Sequence, residues 1–399
     1  MSLALRLAPN TFFTHRFDMP AWSLPEAIAD ILPAEARRIE ALRRALLDLF
    51  RGYGYELVMP PMLEYVESLL SGTGRDLDLQ MFKLIDQMSG RTMGLRADIT
   101  PQVARIDAHL LNRPGVTRLC YAGSVLYTRP RSLTGTREPF VVGAELYGHA
   151  GIEADLEIQE LLLATLSAAG VVRPRLDLGH AEILRAILAA DPRGFMIAER
   201  VYPLLQSKSR DELAALKDEL SVSTCKALVD LSTLYGGGEV LARARDVLPR
   251  LPRIASALEV LERLAAALEP DRVSIDLADL RGYHYHSGTM FAAYCEGLPN
   301  SIAQGGRYDE VGLAFGRARP ATGFSLDLRE LARVASVDDT PSAIVAPCGN
   351  DAAMKAAIAR LRGDGEIVVQ QLLPSQPEDA VSPPDRRLVL RDGAWIVAA

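Results

Sequence analysis

The decapeptide DLRGYHYHSG places Arg281, Tyr283, His284, Tyr285 and His286 within six residues: one guanidinium, two phenols and two imidazoles. An arginine fork grips a carboxylate and aromatic rings stack against a small planar group. The run is therefore a candidate binding segment, the plainer reading being an exposed polar turn. His284 and His286 would share one face of a strand, but catalytic zinc takes three protein ligands and nothing nearby supplies a third. No metal and no cofactor is expected. Asp98 in GLRADITP and Glu145 in VVGAELYG are isolated acids in apolar surroundings, and either could receive an ammonium group. Gly305-Gly306-Arg307, in QGGRYDE, reads as a turn whose missing β-carbons would let the backbone approach a ligand. A Ser, His and Asp triad cannot be assembled from spacing, and neither a GxGxxG nor a Walker loop occurs.

These residues need elements to hold them. Ile39, Leu42, Leu46 and Leu49 recur at spacings of three and four among charged residues, which predicts an amphipathic helix stopped at Gly52 and Gly54. YELVMPP follows as a short strand ended by Pro60-Pro61. Strands over Arg118–Thr128 and Phe140–Tyr147 flank the loop RPRSLTGTRE and predict an antiparallel hairpin. A helix follows from Leu156 to Ala169 and a strand over RPRLDLGH, and residues from about 181 to 270 form a block that is helical throughout and looks inserted. Strands return at Arg272–Leu277, Thr289–Tyr294 and Ser301–Ala303, and a strand from Ala321 to Phe324 runs into a helix ending near Val334.

Beyond Asp338-Asp339-Thr340-Pro341 the pattern changes to a small α/β module, residues 341–399, after a core over 1–335. SAIVAP and EIVVQQLL are its strands, with a helix from Asp351 to Arg362 between them. LLPSQPEDAVSPPDRR is a proline-rich loop, and LVLRDGAWIVA closes as a hairpin on Asp392-Gly393. Hairpin-linked strands with helices grouped apart indicate an α+β fold with an antiparallel sheet.

With 399 residues, 49% hydrophobic and 24% charged, the chain has globular composition and length for two or three domains at about 150 residues each. A net charge of −7 leans against a nucleic-acid partner, whose phosphate backbone demands a positive face, and leaves open only a local basic groove, for which Arg129, Arg131 and Arg137 are the one cluster. The opening MSLALRLAPN lacks a signal-peptide core and no apolar run approaches membrane-spanning length, so a cytoplasmic protein is expected. Cys120, Cys225, Cys295 and Cys348 are widely spaced and read as buried thiols.

Taken in order, the segments from about Phe17 to Val334 resemble a class II histidyl-tRNA synthetase core. LPEAIADILPAEARRIEALRRALLDLFRGYGYELVMPPMLE is similar to the opening segment and the first class-defining motif, the dimer-forming helix and proline-ended strand. GLRADITPQVAR resembles the amino-group-binding LRPE segment, with Asp98 in place of glutamate. YAGSVLYTRPRSLTGTREPFVVGAELYG resembles the second class-defining motif, DLRGYHYHSG the histidine-specific RGLDYY, IAQGGRYDE the second histidine-specific segment, and PATGFSLDLREL the third class-defining motif.

The departures are chemical. Leu126-Tyr127 stands where the second motif carries the phenylalanine and arginine that grip the α-phosphate of ATP, and a phenol cannot replace a bidentate cation. Glu330 stands where the third motif carries an ATP-binding arginine, and a carboxylate there repels polyphosphate. Losing one such donor costs on the order of a hundredfold in rate. The resemblance matches Arg281, Glu145 and Tyr285 to amino-acid-binding residues, places His286 on a tyrosine and Val141 on a glutamine, and implies a remnant histidine pocket of Asp98, Glu145, Arg281, Tyr285 and His286. The C-terminal module, with six basic and seven acidic residues, is a poor anticodon reader.

This profile resembles the regulatory subunits of ATP phosphoribosyltransferase. Membership would imply no catalysis by the chain alone and a place in the first step of histidine biosynthesis. It would also imply a short-form catalytic partner that needs the chain, feedback inhibition with histidine as effector, a homodimer through the core, and no tRNA or membrane partner. The competing expectations are an active histidine-tRNA ligase or a related amino-acid ligase acting on a protein.

Overall fold

The computed structural model describes residues 22–70, 75–132, 135–283, 285–336, 343–373 and 386–398. The chain divides into two compact units, Met1–Ser336 and Val337–Ala399. The expected proline-rich loop falls mostly on residues 374–385, outside the described residues.

Helix Pro33–Gly52 begins with a proline suited to its first turn and buries Ile39, Leu42, Leu46 and Phe50 along one stripe. Burying such a side chain contributes about 1.5–3 kcal/mol. Gly54, at φ +84°, turns the chain into β1 (Glu56–Leu57). A small sheet that the sequence reading missed follows: β2 (Leu63–Tyr65), β3 (Phe82–Ile85) and β4 (Thr92–Leu95), in the order β2-β4-β3. Each of its strands is four residues or fewer, too short for a period-two pattern to stand out.

The large sheet is built from β5 (Thr117–Ser124), β6 (Phe140–Tyr147), β7 (Arg175–His180), β8 (Tyr235–Gly236), β9 (Val273–Asp276), β10 (Thr289–Tyr294), β11 (Ala303–Arg307) and β12 (Ala321–Asp327), with β1 at one edge. Its order is β1-β5-β6-β12-β11-β10-β7-β9-β8. The hairpin pairs Thr117 with Tyr147 through Ser124 with Phe140, as the pattern predicts. Past Ser124 the pairing continues irregularly, with Tyr127 N–H donating to the Arg137 carbonyl. The sheet is not wholly antiparallel: β1 runs parallel to β5, and β7 to β9. Periodicity marks strands but carries no direction.

A second correction concerns Gly305-Gly306-Arg307, which is interior strand and not a turn. A β-carbon on Gly305 would strike the Phe291 ring and the Gly323 carbonyl, and one on Gly306 would stand 2.5 Å from the Thr289 carbonyl. The glycines are there because neighbouring strands and rings press close.

Directly paired residues point to the same side of a sheet, and their sequence neighbours to the other. Arg118, Phe324 and Arg307 face the helices. Arg118 pairs with Glu157 and Phe324 packs edge-on against Phe50 at 6.0 Å. Arg307 Nη2 donates at 2.9 Å to Asp155 and at 3.0 Å to the Gly151 carbonyl, pinning helix Ile152–Ala168 to β11. On the opposite side, register aligns Leu119, Glu145, Gly323, Gly306, Met290 and Gly179 in one row. Three of those six positions are glycine, which leaves a furrow across that face.

Residues 181–267 supply six α-helices, interrupted by β8, which adds to the sheet edge beside β9. In the C-terminal unit, β13 (Ile344–Ala346), helix Ala352–Gly363, β14 (Val368–Gln370), β15 (Arg387–Arg391) and β16 (Ala394–Ala398) form a sheet in the order β14-β13-β15-β16. Ile344, Met354, Ile358, Val368 and Leu388 make its core. Asp392 at φ +49° and Gly393 at φ +78° close the hairpin, the backbone that a two-residue turn requires.

Candidate functional site

Glu145, mid-strand on β6, is 1% exposed and sits in a nest of hydroxyls. Thr100 Oγ1 donates to Oε1 at 2.9 Å, Tyr121 OH donates to the same oxygen at 3.1 Å, and Tyr308 OH donates to Oε2. A β-carbon at position 323 would collide with Oε2, so glycine makes room for the carboxyl. Burial pushes Glu145 up to about 8, against the pull of the three donors, which favour the ionised form. The nest is walled by Tyr147 and Tyr285, whose rings lie 6.3 and 5.0 Å from that of Tyr308.

Asp98 joins this nest through Thr100, whose backbone N–H donates to Oδ1 at 3.1 Å. Burial raises its pKa above the usual carboxylate range, partly offset by that bond. Tyr285 OH is buried with no hydrogen-bond partner, and so is His286 Nδ1. Buried polar atoms are rarely left unpaired, so these two are candidate ligand contacts, although buried atoms of Thr117 and Gln159 elsewhere are unpaired too. The rings of Tyr285 and His286 are perpendicular at 5.7 Å. Burial holds His286 down at about 4, so its ring is neutral at pH 7.

Arg281 lies apart from that nest. Its Nε donates to Asp279 Oδ1 at 2.8 Å, and its Nη2 donates to Asp279 Oδ2 and to the Tyr294 hydroxyl. The guanidinium lines a cavity of about 50 Å³ with Asp177, Asp276, Asp279, Gln304 and His286. His286 stands over Gly306, with Nδ1 2.8 Å from where a β-carbon would be, and also lines the Arg281 cavity. The five residues named from sequence thus form two compartments, Asp98, Glu145 and Tyr285 in one and Arg281 in the other, with His286 bordering the second. His284 lies outside the described residues. Among the described residues no three His, Cys, Asp or Glu side chains gather as a metal site.

Tyr127 and Glu330, expected from the resemblance to stand where phosphate-gripping arginines would, are both engaged within the chain. Tyr127 is 5% exposed, pushed up to about 12 by burial, and covered by the Arg131 guanidinium 4.2 Å from its ring centre. Glu330 pairs with Arg333 at 3.3 Å. Sequence reasoning missed Thr100, Tyr121, Tyr308 and Asp279. Tyr308 lies two residues after the glycines of QGGRYDE, within a segment already singled out, whereas nothing in the sequence marks Thr100 and Tyr121 as neighbours of Glu145.

A mixed sheet with helices on one face and a glycine furrow on the other, bearing a buried acid ringed by hydroxyls, is a histidyl-tRNA-synthetase-like class II core. The family profile described as histidyl-tRNA synthetase matches residues 27–331, and that described as ATP phosphoribosyltransferase subunit HisZ C-terminal domain matches 341–398. The chain is 62% identical over 380 residues to the ATP phosphoribosyltransferase regulatory subunit of Ralstonia nicotianae, covering 95% of this chain and 98% of the relative. It is 61% identical to that of Cupriavidus taiwanensis, over 94% and 98%.

Among solved structures, an ATP phosphoribosyltransferase regulatory subunit/histidyl-tRNA synthetase from Bacillus halodurans superposes with a TM-score of 0.79 at 28% identity, over 90% of this chain and 95% of that one. Histidyl-tRNA synthetase from Nostoc sp. PCC 7120, at 20% identity over 89% and 87%, gives 0.72 and shares the fold. The chain belongs to the family of ATP phosphoribosyltransferase regulatory subunits, the non-catalytic subunits of that complex. Among the described residues no helix is long and apolar enough to cross a membrane.

Proposed function

We propose that this chain is the histidine-sensing subunit of its complex. Free histidine fills the remnant amino-acid pocket, and the short-form catalytic subunit, which needs this chain for activity, is thereby feedback-inhibited. The observation that carries the reading is a contrast between two sets of positions. The compartment around Glu145 keeps a carboxyl, three donating hydroxyls and the orphaned hydroxyl of Tyr285, while the positions matched to the triphosphate grip hold a buried phenol and a paired carboxylate. Binding energy for a small amino acid is therefore present where electrostatic stabilisation of phosphoryl transfer is not. A sensor acts only through differential affinity for the two states of the complex.

The same reading includes a homodimer through the core and no tRNA partner. Met59, Leu79, Ile85 and Met88, at 77%, 77%, 67% and 97% exposed, supply apolar surface on and around the three-stranded sheet. Specific interfaces bury roughly 1,200–2,000 Å². A cytoplasmic location follows from the pathway.

Calorimetry of histidine against the assembled complex tests the reading. Saturable binding that Arg281→Ala weakens, with loss of feedback inhibition, is expected. Absence of histidine binding, or histidine-dependent exchange between pyrophosphate and ATP by the chain alone, would overturn it.

A further inference from the structure

Among the described residues no hydrogen bond or ion pair joins Glu145 to a cationic side chain. The groups that face Glu145 are Asp98 from just ahead of helix Thr100–Arg105, Thr100 from its first residue, Tyr121 from β5, Tyr147 from β6, and Tyr308 from the residue after β11. Tyr285, from the turn ahead of β10, completes the ring of neighbours. Every one is a hydroxyl or another acid. A carboxylate in such surroundings pays the cost of burial without a counter-charge. Proteins relieve that cost by keeping the group protonated.

We propose that the pocket is a proton-exchanging cation site: Glu145 waits in it as a neutral carboxylic acid and releases its proton to solvent when a cationic group of the ligand enters. The class of group is an organic cation with N–H donors, an ammonium or an imidazolium. The inference rests on the histidine-pocket reading and adds to it the charge state in which the ligand is held. The balance is simple. The Glu145 O–H bond breaks, the proton goes to water, the ligand keeps all of its own protons, and the new carboxylate accepts a hydrogen bond from the ligand while retaining those from Thr100, Tyr121 and Tyr308.

The pull of burial on Glu145, up to about 8, sets the scale. At pH 7 roughly nine in ten pockets would hold the acid form, so binding must discharge close to one proton. Affinity would then rise about fivefold between pH 7 and pH 8 and level off above, provided the ligand's own charge is constant over that interval.

The test is calorimetry of histidine binding to the chain assembled with its catalytic partner, at pH 7, in two buffers of different ionisation enthalpy. The expected result is about one proton released per pocket filled, falling by about one in Glu145→Gln. Tyr308→Phe, which removes one donor from the carboxylate, should shift the midpoint of the pH dependence upward. Histidine binding with no proton release, or release unchanged by Glu145→Gln, overturns the proposal and leaves the histidine reading intact. If histidine does not bind, that reading fails separately. Infrared difference spectra between wild type and Glu145→Gln then decide this one in the ligand-free chain: a protonated carboxyl band at pH 7 supports it, and a carboxylate band alone overturns it.

Discussion

Gly323→Ala probes how tightly the candidate pocket is drawn. Position 323 pairs with Glu145 on one side and Gly306 on the other, so its side chain would rise into the furrow between them. The added β-carbon would collide with Glu145 Oε2 and stand 2.7 Å from the Ala144 carbonyl, a backbone atom that cannot swing aside. Overpacking of one methyl into a dense site costs about 1–3 kcal/mol. The carboxyl is the softer of the two obstacles, and moving it would break its bonds to Thr100, Tyr121 and Tyr308.

A double-mutant cycle with Glu145→Ala separates the contributions. Removing the carboxyl leaves space for the methyl, so the pair should be less destabilising than the sum of the singles by about 1 kcal/mol or more, the range seen for residues in contact. Chemical denaturation gives the four stabilities, and calorimetry of histidine should show binding lost in Gly323→Ala. Strict additivity, or wild-type histidine affinity in Gly323→Ala, would refute the packing argument and with it the placement of the pocket.

Other expectations follow from other contacts. Arg319 donates to both oxygens of Asp107, at 2.7 and 2.9 Å, with both side chains buried, so Asp107→Ala should strand a buried cation and cost about 3–5 kcal/mol in denaturation. Asp279 holds the guanidinium of Arg281 that a ligand carboxylate would use. Asp279→Asn should therefore tighten histidine binding about three- to tenfold, corresponding to one charged competitor removed, and weakened binding would show that Asp279 positions Arg281 instead. His180 Nδ1 accepts the Glu182 N–H as the cap of helix Ala181–Ala189, and burial lowers its pKa from 6.5 to about 4. The unfolded chain binds more protons between those values, so stability should fall as pH drops from about 6.5 to about 4. His180→Asn keeps an acceptor without the titration and should flatten that fall.

Much of the pattern was legible because local rules govern it. The stripe Ile39, Leu42, Leu46 and Leu49 announces a helix, although Phe50 and not Leu49 is the fourth buried residue, and the hairpin of β5 and β6 announces itself by two strand runs around a turn-rich loop. Glycines 305 and 306 were misread because local chemistry gives glycine to turns, while here the constraint came from Phe291, Gly323 and Thr289, on strands that meet only in the folded sheet. The small sheet β2-β4-β3 escaped for a similar reason, its stability lying in pairing between segments too short to declare themselves.

The amino-acid sequence by itself determined the order of segments and the residue types in them: Tyr127 and Glu330 where the resemblance puts phosphate-gripping arginines, Asp98 where it puts a glutamate, and Glu145, Arg281 and Tyr285 where it puts amino-acid-binding residues, because these are facts of residue type at fixed positions along a chain. Only the tertiary structure decided that Glu145 is ringed by Thr100, Tyr121 and Tyr308, and that Arg281 is held by Asp279 in a separate compartment. The bonds around Glu145 join residues up to 163 positions apart, and the distances between them are set by sheet register.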